Sequence, residues 1–99
     1  MYRASTPTHY FRLRYEPDAI KEIWLSYTQD GKLILRKTID SFKFEDGVWS
    51  VRLTQEETNL FSESWATARI RVLLKNGDSF PSQKFRLPVY DVEDDEVMV

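Results

Sequence analysis

The sequence predicts an all-β fold, an antiparallel sandwich of two sheets and about seven strands, immunoglobulin-like in size and count. Three observations carry this. All three glycines fall in turn pairs, Asp30-Gly31, Asp46-Gly47 and Asn76-Gly77, each flanked by runs with strand-like alternation. Aromatic residues reach 14% of the chain, a composition that favours strands. Only one short stretch, near residues 55–61, carries a helix-start pattern. Ninety-nine residues make a single domain. A chain of this length buries somewhat over ~60% of its extended surface, enough for one two-layer core.

Residues 1–7 read as a flexible arm ending in Pro7, with little apolar content to tie it down. Residues 8–90 form the sandwich, and 91–99 an acidic tail. Residues 9–16 alternate, with Phe11, Leu13 and Tyr15 on one face and Arg12 and Arg14 on the other, and Glu16-Pro17-Asp18 ends this first strand. Residues 20–28 and 32–39 flank the first turn. A two-residue Asp30-Gly31 turn would mix the faces. A three-residue loop with Gly31 left-handed aligns Tyr27 with Leu33 and Leu25 with Leu35, and places Trp24 opposite Arg36 for a cation–π contact.

Residues 41–54 form the next hairpin, where a two-residue turn at Asp46-Gly47 sets Phe44 against Trp49 and Phe42 against Val51. Thr54 and Glu57 have capping-box spacing, and Leu60 and Phe61 follow where one helical turn tucks under the core. Residues 64–89 are the clearest hairpin. A two-residue turn at Asn76-Gly77 places Ala66, Ala68, Ile70, Val72 and Leu74 on an apolar face, with Leu87 and Phe85 opposite Ala66 and Ala68. The same register puts Arg69 opposite Lys84, Thr67 opposite Arg86 and Leu73 opposite Phe80. Pro81 marks the last strand as a sheet edge, or as beginning only after that residue. A tight hairpin between the second and third strands conflicts with immunoglobulin connectivity, where the chain crosses between sheets at that point.

The chemistry of the chain points away from an enzyme. Nucleophilic catalysis needs an imidazole beside the nucleophile, and the single histidine, His9, reads as a solvated residue at a strand start. One histidine and no cysteine leave no zinc site, and no glycine-rich loop remains for a phosphate, so no cofactor or metal is expected. The acid pairs Glu45/Asp46 and Glu56/Glu57 sit in a turn and a helix start, where acids are ordinary. No membrane span or signal peptide is expected from the apolar pattern.

Charge is unevenly spread. The tail holds five of the sixteen acids and none of the fourteen bases, so residues 1–90 carry a net +3. That is too weak a field to expect a nucleic-acid partner. The tail reads as a disordered, solubilising segment, or as one whose Val97, Met98 and Val99 dock on a neighbour while its acids meet a basic face. That face is the outer side of the last hairpin. Arg69, Arg71, Lys84 and Arg86, with Arg36 and the outward-facing Trp24 and Trp65, are the candidate partner-binding residues. Acids from an adjacent strand, or solvent, would otherwise screen the Arg69/Lys84 pair.

The phrases TPTHYFRL, IKEIWLSYTQDGKLILRK, VRLTQEETNLF and ARIRVLLKNGDSFPSQKFRLPVYDV, spanning roughly residues 6 to 97, resemble small prophage-encoded proteins of Gram-positive bacteria. More distantly they resemble the N-terminal domain of phage baseplate upper proteins. The most specific pieces are Ile23-Trp24-Leu25 with the segment 28–32, and the segment 53–58. The resemblance implies a β-sandwich of virion or assembly character, in the virion or in the host cytoplasm during assembly. Its implied partners are other phage structural proteins or further copies of itself, and no catalytic residue carries over. A non-enzymatic tail or baseplate protein acting by protein–protein contact is therefore the expected function. The alternative is a carbohydrate- or small-ligand-binding sandwich that stacks its ligand on Trp24 and Trp65.

Overall fold

The computed structural model describes residues 1–99. Seven strands are present: β1 (Thr8–Phe11), β2 (Ile20–Gln29), β3 (Lys32–Lys37), β4 (Phe42–Glu45), β5 (Val48–Arg52), β6 (Trp65–Leu74) and β7 (Ser79–Pro88). One helical turn, α1 (Gln55–Thr58), joins β5 to β6. The strands form two antiparallel sheets, β1-β5-β4 and β3-β2-β6-β7, the expected sandwich. The strand order is not that of an immunoglobulin domain, in which the second strand lies beside the fifth and the third joins the opposite sheet. Here β2 is inserted between β3 and β6. The physical reason is the length of the β2–β3 connection, which is too short to cross to another sheet and keeps β3 beside β2.

The turns differ from expectation in an instructive way. Asp46-Gly47 behaves as expected, with Phe44 opposite Trp49 and Phe42 opposite Val51. Asp30 and Gly31 both have positive φ, 51° and 75°, the signature of a two-residue turn of the primed type, not the expected three-residue loop. Gln29 then pairs with Lys32 and Thr28 with Leu33. A bulge at Ile34 absorbs one residue, so Tyr27 faces Leu35 and Leu25 faces Lys37, not the expected Leu33 and Leu35. Leu33 turns outward, and the half-buried Lys37 ammonium on the inward side is met by Glu57. At the other hairpin only Gly77 has positive φ, 96°. Its N–H donates to the Leu74 carbonyl (3.0 Å), Leu74 N–H donates to Asp78 O (2.8 Å), and the Asn76 side chain accepts from Asp78 N–H (2.9 Å). This is a three-residue loop, not the expected two. It pairs Leu73 with Ser79 and Val72 with Phe80, not Leu73 with Phe80. A bulge between the Arg71–Pro81 and Ile70–Gln83 pairs then restores the expected register, so Arg69 faces Lys84, Ala68 faces Phe85 and Thr67 faces Arg86. The irregularity falls beside Pro81, which has no N–H to give a ladder, and β7 is indeed an edge strand.

The first strand is shorter than its alternation suggests, ending at Phe11 instead of Glu16. Beyond the Phe11–Trp49 pair the Arg12 carbonyl accepts from the Gln83 side chain of β7, which draws the chain off the three-stranded sheet. Leu13 and Tyr15 still pack on the core, and the Tyr15 ring stacks on Phe80. The core lies between the sheets. Ile23, Leu25 and Tyr27 of β2 and Ala66, Ala68, Ile70 and Val72 of β6 meet Phe11, Trp49 and Val51 of the other sheet.

The capping box forms as expected. Glu57 N–H donates to Thr54 Oγ1 (3.1 Å) and Thr54 N–H donates to Glu57 Oε1 (2.9 Å). Phe61 is buried beneath it, but Leu60 turns outward and is 58% exposed. The two terminal segments clasp each other. Tyr90 N–H donates to Met1 O (2.7 Å) and Arg3 N–H donates to Tyr90 O (3.0 Å). Arg3 forms ion pairs with Asp91 (2.7 Å) and Asp95 (2.9 Å). Gln55 and Asn59 hold the backbone at Met98 and Asp95. Apolar content alone misses such ties, because they are backbone bonds and charges. No helix is long and apolar enough to cross a membrane, which says nothing of β-barrels.

Candidate binding face

Strand alternation sends every second residue of β2, β6 and β7 to the solvent side of the four-stranded sheet. On β2 these are Glu22, Trp24, Ser26 and Thr28, and on β6 they are Trp65, Thr67, Arg69, Arg71 and Leu73. Lys84 and Arg86 of β7 lie opposite Arg69 and Thr67, and Arg36 of β3 lies opposite Ser26. All seven residues singled out from the sequence therefore share one face. Arg36 is not opposite Trp24 as the loop argument expected, yet its guanidinium carbon reaches back to 4.3 Å from the Trp24 ring centre. Its Nε donates to Ser26 Oγ (3.1 Å).

Arg71, directly opposite Trp24 on β6, lies 5.7 Å from the same ring. The indole is thus approached from β3 and from β6. At the other end of the face Arg86 sits 4.7 Å over Trp65. Stacking on an indole holds a guanidinium plane while leaving its N–H edges free for carboxylate or phosphate. The face is a set of ordered cations.

No acid neutralises them. The ion pairs of the molecule are Arg3–Asp91, Arg3–Asp95 and Lys37–Glu57, none of which lies on this face. Screening by acids of the adjacent strand does not occur, since β2 offers Ser26 opposite Arg69 and Trp24 opposite Arg71. Glu22 is the one carboxylate nearby, and its Oε1 accepts from the Ile23 and Ile39 N–H groups (2.9 and 2.8 Å). Between the cations the surface dips into a depression of about 550 Å³. Arg36, Arg69, Arg71 and Lys84 line it, with the hydroxyls of Ser26, Thr28 and Thr67 between them. The sequence placed Thr67 opposite Arg86 without giving it a role and left Ser26 and Thr28 unmarked, although outward parity in the segments 20–28 and 65–69 was the signal that could have found all three. A smaller dip of about 130 Å³ adjoins it at Trp24, Arg71 and Leu73.

The two outer tryptophans do not form one platform. Trp24 pairs with Arg71, six residues along β6 from Trp65, about 20 Å at ~3.4 Å per residue.

A second polar group lies at the sandwich end. His9 is half-buried, not solvated, and its Nδ1 meets the Tyr27 hydroxyl at 2.5 Å. Burial lowers the imidazole pKa. Burial, then the charge of Glu57, raises that of the Tyr27 hydroxyl. Burial also works to raise the Glu57 carboxyl, but bonds from Lys37 (2.5 Å) and Thr54 outweigh it and leave the carboxyl lowered. No three histidine or acidic side chains converge as metal ligands would.

No protein-family model matches the chain, and no curated protein matches it either.

Proposed function

We propose that the protein is a non-enzymatic interaction module that docks an acidic protein segment on the outer face of its four-stranded sheet. One observation carries this: Arg36, Arg69, Arg71, Lys84 and Arg86 share that face without an ion-pair partner, three of them ordered over tryptophan rings. Like charges placed directly opposite one another across strands are unfavourable, and Arg69 faces Lys84 with nothing to offset them. An acidic partner supplies the missing charge. Carboxylates accept bidentate bonds from the guanidinium edges, and the Ser26, Thr28 and Thr67 hydroxyls serve the remaining polar groups.

The setting we propose is a tail or baseplate assembly of a phage or prophage, which rests on the phrase-level resemblance alone. The gene neighbourhood tests that setting: flanking capsid or tail genes would favour it, and a neighbourhood without assembly genes would count against it. The sugar-stacking alternative is less well supported. Trp24 is hemmed by two guanidinium groups and Trp65 is too far away to share a ligand ring with it.

Titration with polyglutamate at low salt, followed by tryptophan fluorescence, tests the docking. The expected result is saturable binding that Arg69→Glu with Arg71→Glu abolishes. Equal binding by wild type and by that double variant sinks the reading.

A further inference from the structure

We infer that the acidic partner of this face is the segment 91–99 of a second copy of the same chain. The inference rests on the reading of the basic face as a docking surface and adds the identity of the occupant. It comes from the charge left over on each surface. Of the five acids in the segment, Asp91 and Asp95 are turned back onto Arg3 of their own chain. Glu93, Asp94 and Glu96 are exposed and form no ion pair, Asp94 Oδ1 accepting only the Glu96 N–H (3.0 Å). Within its own chain the segment is held over α1 by Gln55 and Asn59, and it makes no hydrogen bond or ion pair with the basic face.

So one molecule carries a ridge of three unpaired carboxylates and, elsewhere, a face of five unpaired cations. The apolar parts match as well. Met98 is 82% exposed beside the acids, and Leu33 is 52% exposed beside the cations. Donor ridge and acceptor face are different surfaces of each copy. Reciprocated between two copies, the contact closes an isologous two-fold dimer; unreciprocated, it is heterologous and extends as a chain or closes as a ring. Because the pairs are exposed, the association is salt-sensitive. It is strongest at low ionic strength and lost near 1 M salt, where the screening length is about 3 Å.

Sedimentation equilibrium of the full chain tests this with two variants. The donor variant, Glu93→Gln, Asp94→Asn and Glu96→Gln, keeps Asp91 and Asp95 on Arg3 and an intact face. The acceptor variant, Arg69→Glu and Arg71→Glu, keeps an intact tail. Wild type is expected to gain mass with concentration at low salt and to revert at 1 M. Each variant alone is expected to remain a monomer. An equimolar mixture is expected to regain a twofold mass, because one intact tail then meets one intact face. That recovery also shows both variants to be folded.

A wild type that stays monomeric at all concentrations overturns the inference, as does a donor variant that associates like wild type or a mixture that stays monomeric. If polyglutamate still binds the wild-type face in that case, docking of an acidic segment survives and only the identity of the partner fails. If neither polyglutamate nor a second copy binds, both readings fall together.

Discussion

The two wet faces of this sandwich carry depressions of similar volume and are unlike in charge. On the three-stranded side a depression of about 540 Å³ lies among Thr8, Tyr10, Ser50 and Arg52, with Lys43 and Glu45 on β4. On the four-stranded side a depression of about 550 Å³ lies among four cations. The first mixes both signs, its Arg52 bonds a neighbouring threonine hydroxyl (3.3 Å), and its aromatic residue Tyr10 stacks with no cation. The second keeps like charges adjacent and orders two of its arginines, Arg36 and Arg71, on the Trp24 indole, with Arg86 over Trp65 further along the same face. A dip of this size is therefore what a twisted sheet with alternating long and short polar residues produces. Uncompensated, ordered charge sets one face apart.

That contrast can be broken or sharpened by substitution. The largest effect is expected from Ile70→Ala. Ile70 is fully buried between the sheets and lies in sequence between Arg69 and Arg71, so its loss strikes the support of both faces. A destabilisation of about 2–5 kcal/mol in urea unfolding is expected. A cost below ~1 kcal/mol means that β6 does not divide core from binding face as described.

Next come the matched charge reversals. Arg69→Glu with Arg71→Glu should weaken polyglutamate binding at least about tenfold, or ~1.4 kcal/mol, whereas Lys43→Glu with Arg52→Glu should leave it within about twofold. Equal losses from both pairs reduce the contrast to net charge.

Thr54→Ala removes the cap of α1, the link between the sheets, and should cost about 1 kcal/mol by thermal or urea unfolding while leaving polyglutamate affinity unchanged. The smallest effect is a pH dependence carried by His9, which reaches from the three-stranded sheet to Tyr27. Its folded-state pKa is depressed, so between the folded value and the ordinary ~6.5 the unfolded chain binds the proton more readily. The contribution to stability is complete above ~6.5 and is lost as pH falls through the folded value. Melting temperatures of wild type should drop faster than those of His9→Gln below pH ~6.5. Parallel curves refute the coupling.

Much of this was legible in alternation alone. The inward set on β6, the Asp46-Gly47 register and the outward side of each of the seven candidate residues follow from parity, and the capping box from residue spacing. That the seven share one face does not, because it requires β2 beside β6. Loop length was not legible at Asp30-Gly31 or Asn76-Gly77, and the two came out interchanged. At each, a bulge a few residues away absorbs the missing or extra residue, so the far register says nothing about the turn. The placement of β2, the outward turn of Leu60 and the clasp of Arg3 on Asp91 and Asp95 depend on contacts distant in sequence, which no local pattern encodes. The basic face was visible as a list of cations. Its lack of neutralising acids was not, because that required knowing that β2 sets Ser26 and Trp24 opposite Arg69 and Arg71 and that Glu22 is held by backbone N–H groups and forms no ion pair.

The bulge beside Pro81 has one more consequence. An edge strand with a regular row of free N–H and C=O groups is a template on which another chain can pair, and stacked pairing of that kind ends in fibres. Along β7 the row is broken by Pro81, offset by the adjoining bulge, guarded by Lys84 and Arg86, and closed by Pro88. The opposite edge, β3, is only six residues long, has its own bulge, and carries Lys32, Arg36 and Lys37. Neither border of the four-stranded sheet invites a further strand, so growth of that sheet by edge-to-edge pairing is blocked at both ends.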